Sequence, residues 1–172
     1  MRSLRYNVAM SLDGYISGPN GEYDWIVQDP AIDFIELFKD FDTALLGRNS
    51  FIASLAINKT GEMPGMKVIV CSTTLKAADY PKVTVLNTNV NDAVRALKQE
   101  KGKDIWLFGG GGLFRSMLDA GLVDGIDVAV IPVILGGGIP LIPQGSRSPV
   151  LELTNTRTYP SGIVGLSYRV PR

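Results

Sequence analysis

The sequence predicts one α/β domain over residues 1–172, with a mostly parallel central sheet, helices on both faces and antiparallel strands at the C-terminal end. Three observations favour this class. Short apolar runs alternate with segments of helical periodicity over the first two thirds of the chain. After Asp124 the runs are all strand-like and are joined by Gly and Pro. A chain of 172 residues with 45% hydrophobic content supports one sizeable core and is too short for two.

The predicted strands are short runs rich in aliphatic and aromatic residues. Before Asp124 they are residues 4–10 (LRYNVAM), 43–47 (TALLG), 67–72 (KVIVCS), 82–86 (KVTVL) and 104–109 (DIWLFG). After it they are residues 125–135 (GIDVAVIPVIL), 150–159 (VLELTNTRTY) and 163–170 (IVGLSYRV). Near-continuous apolar runs in the first group are typical of parallel strands that are covered on both faces.

Four helices are predicted between the strands. The first begins with Asp29 as a cap and Pro30 at the first helical position. Its apolar residues recur at helical spacing at Ala31, Phe34, Ile35, Phe38 and Phe41. A second helix follows Arg48, a third runs from its cap near Asn91 to Glu100, and a fourth runs from about Gly112 to Ala120.

The composition excludes several kinds of catalysis. The chain has no histidine and one cysteine, Cys71. A Ser-His-Asp triad, a Cys-His pair, an imidazole-bound zinc ion and a multi-thiolate metal site therefore cannot form within the chain. No metal site is expected. The chemistry has to come from a cofactor, a carboxylate or an ordered water molecule.

Charge and hydropathy give expectations about partners and location. Lys plus Arg and Asp plus Glu number 17 each, so no global positive field favours nucleic acid or acidic lipid. Charged residues interrupt the N-terminal MRSLRYNVAMSLDG where a signal peptide would be apolar, and no run of about 18 apolar residues occurs. We expect a soluble cytoplasmic protein without nucleic-acid or membrane partners.

Four consecutive glycines, Gly109 to Gly112, stand between the apolar run IWLF and the predicted fourth helix. Glycine loses backbone entropy on folding, so the run needs a cause such as positive φ or the close approach of another group. It matches neither G-x-G-x-x-G nor G-x-x-x-x-G-K-[ST]. It keeps the feature that those motifs share, which is a tight turn followed by the N-terminus of a helix. A helix N-terminus attracts phosphate. A turn that needs small residues, or a linker, is the alternative.

Two further strand ends have similar chemistry. Their residues are Gly47, Arg48, Asn49 and Ser50 after one strand, and Ser72, Thr73, Thr74 and Lys76 after another. A guanidinium, hydroxyl groups and free backbone N–H groups all favour phosphate, although Arg48 could also be an ordinary solvated side chain. In open α/β sheets, ligands lie beyond the carboxyl ends of the strands. Three such ends together predict a long polyphosphate ligand.

The candidate acids lie in the first 40 residues. Asp13 precedes Gly14 in a loop rich in turn residues, with Trp25 beyond it. An Asp-Gly pair is also common in ordinary turns. Asp33 lies beside the apolar stripe of the predicted first helix, where it is either a buried acid facing a pocket or a solvated side chain. The glycines and prolines of residues 132–143 (PVILGGGIPLIP) predict a corner between strands.

Five segments in a fixed order carry a resemblance to a known family. They are SLDGYISGPNGEYDW, ALLGRNSF, VIVCSTTL, IWLFGGGGLFRSML and PVILGGGIPLIP. Over nearly the whole chain they resemble the dihydrofolate reductase superfamily. They look most like the reductase domain of riboflavin biosynthesis, the RibD C-terminal domain, and its stand-alone relatives. The resemblance implies a dihydrofolate reductase-like three-layer fold and an NADPH cofactor held across the strand ends.

The resemblance also implies roles for individual residues. It places Gly47, Arg48, Asn49 and Ser50 along the cofactor phosphates, Ser72, Thr73 and Thr74 near the adenosine 2′-phosphate, and Gly109, Gly110, Gly111, Gly112 and Leu113 on the pyrophosphate and nicotinamide side. It places Asp13, Gly14, Trp25 and Asp33 in the substrate pocket. Asp13 or Asp33 would be the catalytic carboxylate that binds ring N–H groups or orders a proton-donating water.

Two departures from the family concern the substrate. Riboflavin-pathway reductases carry arginines on the first helix that bind the ribose phosphate, whereas the corresponding residues here are Ile32 and Lys39. The usual Asp-Asp-Pro stretch after the second strand is replaced by SLAINKTGEMPG. Both departures argue against a phosphoribosyl substrate. The fused deaminase of some family members is not expected, because its zinc site needs His and several Cys.

We therefore expect an NADPH-dependent oxidoreductase that transfers hydride to a pteridine- or pyrimidine-type substrate, similar to 5-amino-6-(5-phosphoribosylamino)uracil reductase. The alternatives are dihydrofolate reductase proper, a non-catalytic nucleotide-binding sensor on the same fold, and a structural partner-binding domain. A homodimer through the C-terminal strands is compatible with the apolar run GIDVAVIPVIL.

Overall fold

The computed structural model describes residues 1–171, so Arg172, the last residue of the predicted domain, lies outside the described residues. The strands are β1 (Leu4–Ser11), β2 (Tyr15–Ser17), β3 (Phe41–Gly47), β4 (Lys67–Cys71), β5 (Thr84–Leu86), β6 (Asp104–Gly109), β7 (Gly125–Ile131), β8 (Ile139–Pro140), β9 (Glu152–Thr158) and β10 (Val164–Arg169). The helices are α1 (Phe34–Phe38), α2 (Arg48–Ser54), α3 (Val90–Gln99) and α4 (Gly111–Asp119), and a 3₁₀ turn covers Ala77–Asp79.

The central sheet has eight strands in the order β5-β4-β3-β6-β1-β7-β10-β9. The strands from β5 to β7 are parallel to their neighbours, whereas β10 and β9 are antiparallel. This confirms the predicted fold class. Because the parallel strands all end on the same side, the ends of β4, β3, β6, β1 and β7 define one edge, called the carboxyl edge below. β2 and β8 form a separate ribbon that no sequence pattern predicted.

Helices contribute to a core on each face of the sheet. On one face, α3 and α4 contribute Val94 and Met117 to a core that includes Leu107 of β6. On the other face, α2 contributes Phe51 to a core that includes Leu46 of β3. All five side chains are fully buried, and the burial of each stabilises the fold by about 1.5–3 kcal/mol. Among residues 1–171, no helix is both long and apolar enough to cross a membrane.

The predicted start of the first helix is wrong. α1 begins at Phe34, and its cap is Asp33, whose carboxylate accepts a hydrogen bond at 3.0 Å from the backbone N–H three residues further on. Asp29 is buried instead, and it accepts a hydrogen bond at 2.9 Å from the N–H of Ser161 in the β9–β10 turn. The other carboxylate oxygen of Asp29 accepts a hydrogen bond from the N–H of Ala31 at 2.8 Å, but only a turn follows and not a helix. No residue of α1 is buried, and Phe41 belongs to β3.

Several other element bounds differ from prediction by one to four residues, among them those of two helices and of β7. Asn89, and not Asn91, is the N-cap of α3, and its φ of 51° lies in the left-handed region that asparagine tolerates. α4 begins one residue earlier than predicted, at Gly111. β7 ends before Pro132, because proline has no N–H to donate to the sheet.

Candidate functional site

The three phosphate-favouring clusters lie side by side at the carboxyl edge, because β4, β3 and β6 are neighbours in the sheet. Gly47 pairs with Cys71, so the turns that follow β3 and β4 are adjacent. A Cβ atom built on Gly47 would lie 3.5 Å from the carbonyl oxygen of Gly109, so the turn after β6 is adjacent on the other side. Neighbouring strands are about 4.8 Å apart, and the three clusters therefore span about 10 Å.

The glycine run has two causes within the molecule. Gly109 has a φ of +138°, a conformation that favours glycine. Gly111 lies against β8, where a Cβ atom would be 2.9 Å from the carbonyl oxygen of Pro140 and 3.0 Å from that of Leu141. A Cβ atom on Gly112 would have no heavy atom within 4 Å. The run is thus required by the fold at two positions and leaves open space beside the backbone at a third.

The first turn of α4 is open at its N-terminal end. Its N-cap is Gly110, so no side chain caps the turn. A Cβ atom on Gly110 would lie 3.4 Å from Oγ of Ser50, which places a hydroxyl group of the neighbouring cluster beside this turn. Leu113 is half-buried and packs on the core beneath it. Uncapped N–H groups and the helix dipole attract anions at such a position.

Arg48 supplies a positive charge between the other two clusters. It is the first residue of α2, and its side chain is exposed. Within the part of the chain that the structure describes, Arg48 forms no ion pair, and its one side-chain hydrogen bond is a long one of 3.3 Å to Oδ1 of Asn49. A guanidinium without a carboxylate partner can bind phosphate through two parallel N–H···O bonds.

The hydroxyl residues after β4 have different roles. Ser72 is buried, and its Oγ accepts hydrogen bonds from the N–H groups of Thr74 at 3.2 Å and Leu75 at 3.1 Å. Nδ2 of Asn87 donates to the carbonyl oxygen of Ser72 at 2.6 Å. Sequence reasoning missed Asn87, whose only signal is that it directly follows β5. Ser72 therefore holds the turn, while the exposed side chains of Thr73 and Thr74 are open to a ligand.

Asp13 fixes the loop that precedes β8. Its carboxylate accepts hydrogen bonds from the Ser11 hydroxyl at 2.7 Å and from the N–H groups of Leu135 at 3.1 Å and Gly136 at 2.8 Å. The Ser11 hydroxyl and these two backbone groups hold the pKa of Asp13 below its usual value. Asp13 is thus ionised at neutral pH and does not donate a proton. Gly14 completes the turn with a φ of +92°.

Asp33 and Trp25 lie on the segment between β2 and β3. Asp33 is exposed and caps α1. Trp25 is half-buried, and its Nε1 donates to the carbonyl oxygen of Glu22 at 3.0 Å. Among the described residues, neither side chain is hydrogen-bonded to Asp13. The roles of Asp33 and Trp25 in a substrate pocket stay predictions.

An aromatic row runs from α1 onto β6. The ring centroids of Phe34 and Phe38 are 6.3 Å apart, those of Phe38 and Trp106 are 4.4 Å apart, and those of Trp106 and Phe108 are 4.8 Å apart. Phe108 directly precedes Gly109, so the row leads to the glycine turn. Sequence reasoning missed it, although the period of two in IWLFG places both β6 aromatic residues on one face.

A cavity of about 400 Å³ lies at the opposite edge of the sheet. Its lining includes Arg5, Asp127, Asn155 and Ser167 and none of the candidate site residues. Nη2 of Arg5 lies 2.9 Å from Oδ2 of Asp127, and the other arginine of the lining, Arg169, pairs with Glu152, so both positive charges are neutralised. Because ligands of open α/β sheets bind at the carboxyl edge, we do not assign the cofactor to this cavity.

The described residues offer neither a cluster of metal-ligating side chains nor a reactive thiol. No group of three or more metal-ligating side chains occurs among residues 1–171. Burial raises the pKa of the Cys71 thiol to about 12, so the thiol is neutral and a poor nucleophile at physiological pH. The chemistry that this edge can support is anion binding together with hydrogen bonding by carboxylates.

A mostly parallel sheet of this order, with glycine and polar turns along its carboxyl edge, defines a dihydrofolate reductase-like fold. The structure is similar to dihydrofolate reductase from Enterococcus faecalis complexed with NADP(H) and RAB-propyl, with a TM-score of 0.74 and 19% identity over 99% of this chain and 97% of that chain. It is also similar to the putative riboflavin biosynthesis protein from Shewanella sp. PV-4, with a TM-score of 0.83 and 25% identity over 100% of both chains.

The chain belongs to the RibD C-terminal domain family, whose family model matches residues 2–165. It is 35% identical over 178 residues to the uncharacterized protein YyaP of Bacillus subtilis (strain 168), which covers 97% of this chain and 94% of that protein. The family resemblance carried by the five sequence segments is therefore confirmed. The protein is thus a member of this family with a dihydrofolate reductase-like fold.

Proposed function

We propose that the protein is an NADPH-dependent reductase that transfers hydride to a pteridine- or pyrimidine-type ring. The observation that carries the proposal is the adjacency of Arg48, the glycine turn and the exposed threonines after β4 along one edge of the sheet. Membership of the RibD C-terminal domain family supports it, as does a fold shared with a dihydrofolate reductase bound to NADP(H). NADPH, when bound, supplies the hydride.

The donor groups of the three clusters fit the phosphates of NADPH. The unpaired guanidinium of Arg48 would hold the pyrophosphate, and the uncapped N–H groups of the first turn of α4 would bind the same group. Thr73, Thr74 and Lys76 would face the 2′-phosphate with exposed hydroxyl groups and a positive charge. Ser72 would act indirectly, because its own hydroxyl holds the turn.

The carboxylates would position the substrate. Asp13 is ionised, so it would fix the loop at residues 132–138 beside the pocket and accept hydrogen bonds there. Asp33, which precedes Phe34 of the aromatic row, would accept hydrogen bonds from ring N–H groups with its exposed carboxylate. An ordered water would deliver the proton, because the chain has no histidine.

Replacement of Arg48 by alanine tests the proposal. We expect the Kd for NADPH to rise about 10- to 100-fold, because a hydrogen-bonded pair with a charged group is lost. The free energy of unfolding is expected to change by less than about 0.5 kcal/mol, because the side chain is exposed and forms no ion pair in the described residues. Calorimetric titration and thermal unfolding measure the two quantities.

Arg95→Ala is the matched control. Arg95 is also an exposed helical arginine, but it lies on α3 and pairs with Asp92. Its loss should leave the affinity for NADPH unchanged. Equal affinities in wild type and Arg48→Ala would contradict the assignment of Arg48 to the cofactor.

A nucleotide-binding sensor without turnover is the second candidate. The observation that favours it is the lowered pKa of Asp13, which leaves the turn after β1 without a proton-donating side chain. The two functions differ in one measurement, the oxidation of bound NADPH. Oxidation with dihydrofolate or an aminopyrimidine as acceptor supports the reductase, whereas tight binding without oxidation in a panel of pteridines and pyrimidines supports the sensor.

A further inference from the structure

The segment at residues 12–40 carries an unusual charge and is called the acidic lip below. It holds seven acidic residues and one lysine, a net charge of −6 in a chain that is neutral overall. The acidic residues are Asp13, Glu22, Asp24, Asp29, Asp33, Glu36 and Asp40. An excess of this size within 29 consecutive positions produces a local negative potential even though the whole protein has none.

The acidic lip borders the proposed substrate pocket. It begins at the carboxyl end of β1, where Asp13 holds the loop before β8. In the middle of the lip, the carboxylate of Asp29 accepts a hydrogen bond from the N–H of Ser161 in the β9–β10 turn. It ends with α1, where the ring of Phe38 packs against that of Trp106 of β6 at an angle of 33°. The lip therefore runs from the carboxyl edge to the aromatic row.

Most carboxylates of the lip have no ion-pair partner among residues 1–171. Lys39 is its only basic residue and pairs with Glu36. Among residues 1–171, none of the other six carboxylates of the lip forms an ion pair. The Ser11 hydroxyl and two backbone N–H groups keep Asp13 ionised by lowering its pKa. Asp40 lies at the amino end of the sheet, where its carbonyl oxygen accepts a hydrogen bond from the N–H of Asp104 at the start of β6. The negative charge beside the proposed pocket therefore comes from the lip carboxylates that precede α1.

The segment that holds the cofactor clusters of β3 and β4 has the opposite sign. Residues 48–82 contain five basic and two acidic residues, a net charge of +3. Arg48 and Lys76 lie in this basic segment, next to the turns proposed to bind phosphate. Lys67 begins β4 and Lys82 precedes β5, so these two lie at the other end of the sheet. At the carboxyl edge the positive charge is that of Arg48 and Lys76, beside the proposed cofactor phosphates, and the negative charge is that of the lip.

The pocket surface next to the lip suits a flat ring. Phe34 of the aromatic row is half exposed, and the rings of Trp106 and Phe108 are only partly buried. On the same face of the sheet, the carbonyl oxygen of Asn7 in β1 accepts a hydrogen bond from Nε1 of Trp106 at 3.1 Å, which fixes the ring of Trp106.

We infer that the substrate of this site is a planar, nitrogen-rich ring that carries no phosphate and is neutral or cationic. The inference rests on the proposed function and narrows its substrate class. The acidic lip repels a phosphate on the substrate, while the basic segment attracts the phosphates of the cofactor. The aromatic row binds the face of the ring, and the negative charge of the acidic lip selects against the phosphorylated form.

Two probes that differ only in one phosphate test this inference. They are 5-amino-6-(ribosylamino)uracil and its 5′-phosphate, titrated by calorimetry into wild-type protein with NADP⁺ and without cofactor. We expect the unphosphorylated probe to bind about tenfold more tightly at about 10 mM salt. The preference should fall to about twofold at about 150 mM salt, because counterions screen exposed charges.

Two triple variants with the same change in net charge separate the lip from the protein as a whole. E22Q/D24N/D33N removes three exposed charges from the part of the lip that precedes α1, and asparagine preserves the cap of α1. D92N/E100Q/D119N removes three exposed charges from the helical face that carries α3 and α4. The lip variant should lose most of the preference for the unphosphorylated probe, and the control variant should keep it.

Three outcomes would overturn the inference. They are equal or tighter binding of the phosphorylated probe, no binding of either ring, and an equal loss of preference in both triple variants. Failure of the proposed function appears separately, as a lack of NADPH binding by wild-type protein. Because the probe titrations are also run without cofactor, they report on the lip in either case.

Discussion

Gly111→Ala is expected to lower the free energy of unfolding by about 2 kcal/mol and the melting temperature by about 4–8 °C. The added Cβ atom would lie 2.9 Å from the carbonyl oxygen of Pro140 and 3.0 Å from that of Leu141. These are backbone atoms, so the contact is relieved only by moving β8 or the start of α4. Thermal and urea-induced unfolding measure the loss.

Gly112→Ala is the control for this prediction. It lies in the same helical turn, but a Cβ atom there would have no heavy atom within 4 Å. Alanine is the better helix former by up to about 1 kcal/mol, so the melting temperature should stay the same or rise. Equal losses of stability in the two variants would contradict the close packing of Gly111 on β8.

Asp124→Ala is expected to lower the free energy of unfolding by about 3–5 kcal/mol, because it leaves a buried ammonium without its carboxylate. Only 6% of the Lys98 side chain is exposed, and its Nζ binds Asp124 and the carbonyl oxygen of Leu122. Asp124 also accepts a hydrogen bond from the N–H of Leu4 at 2.8 Å. Urea-induced unfolding of wild type and variant measures the difference.

Lys98→Met is the matched comparison, because it removes the cation and keeps most of the buried volume. The carboxylate that remains is 21% exposed and still accepts the Leu4 N–H, so the loss should be smaller, at about 1–3 kcal/mol. A larger loss for Lys98→Met than for Asp124→Ala would show that the desolvated ammonium is not the dominant cost.

Much of the fold is predictable because its signals are local. The continuous apolar runs around Leu45 and Leu107 indicate buried parallel strands. The turns after β3, β4 and β6 can be placed from short runs of glycine and polar residues that follow those strands. Since parallel strands end on one side, the adjacency of the three clusters follows once the strand order is given by the family.

The parts that sequence reasoning missed depend on partners far away in the chain. Asp29 has the sequence features of a cap and does bond the N–H of Ala31, but its carboxylate also binds Ser161, 132 residues further on, and the helix begins only at Phe34. The Ser72 hydroxyl accepts hydrogen bonds from backbone N–H groups of the turn that follows it, so it is not available to a ligand. The spacing of residues in the sequence does not reveal this. The contact between the rings of Phe38 and Trp106 brings α1 and β6 together, although 68 positions separate the two residues.

The most direct test of a cofactor site at the carboxyl edge is an amide ¹H–¹⁵N spectrum recorded during titration with NADPH. We predict shifts concentrated in three groups of backbone amides, residues 47–50, residues 73–74 and residues 109–113. The amides of Asn155 and Ser167 in the cavity at the opposite edge should not move. Shifts confined to that cavity, or no shifts at millimolar NADPH, would contradict the proposed site.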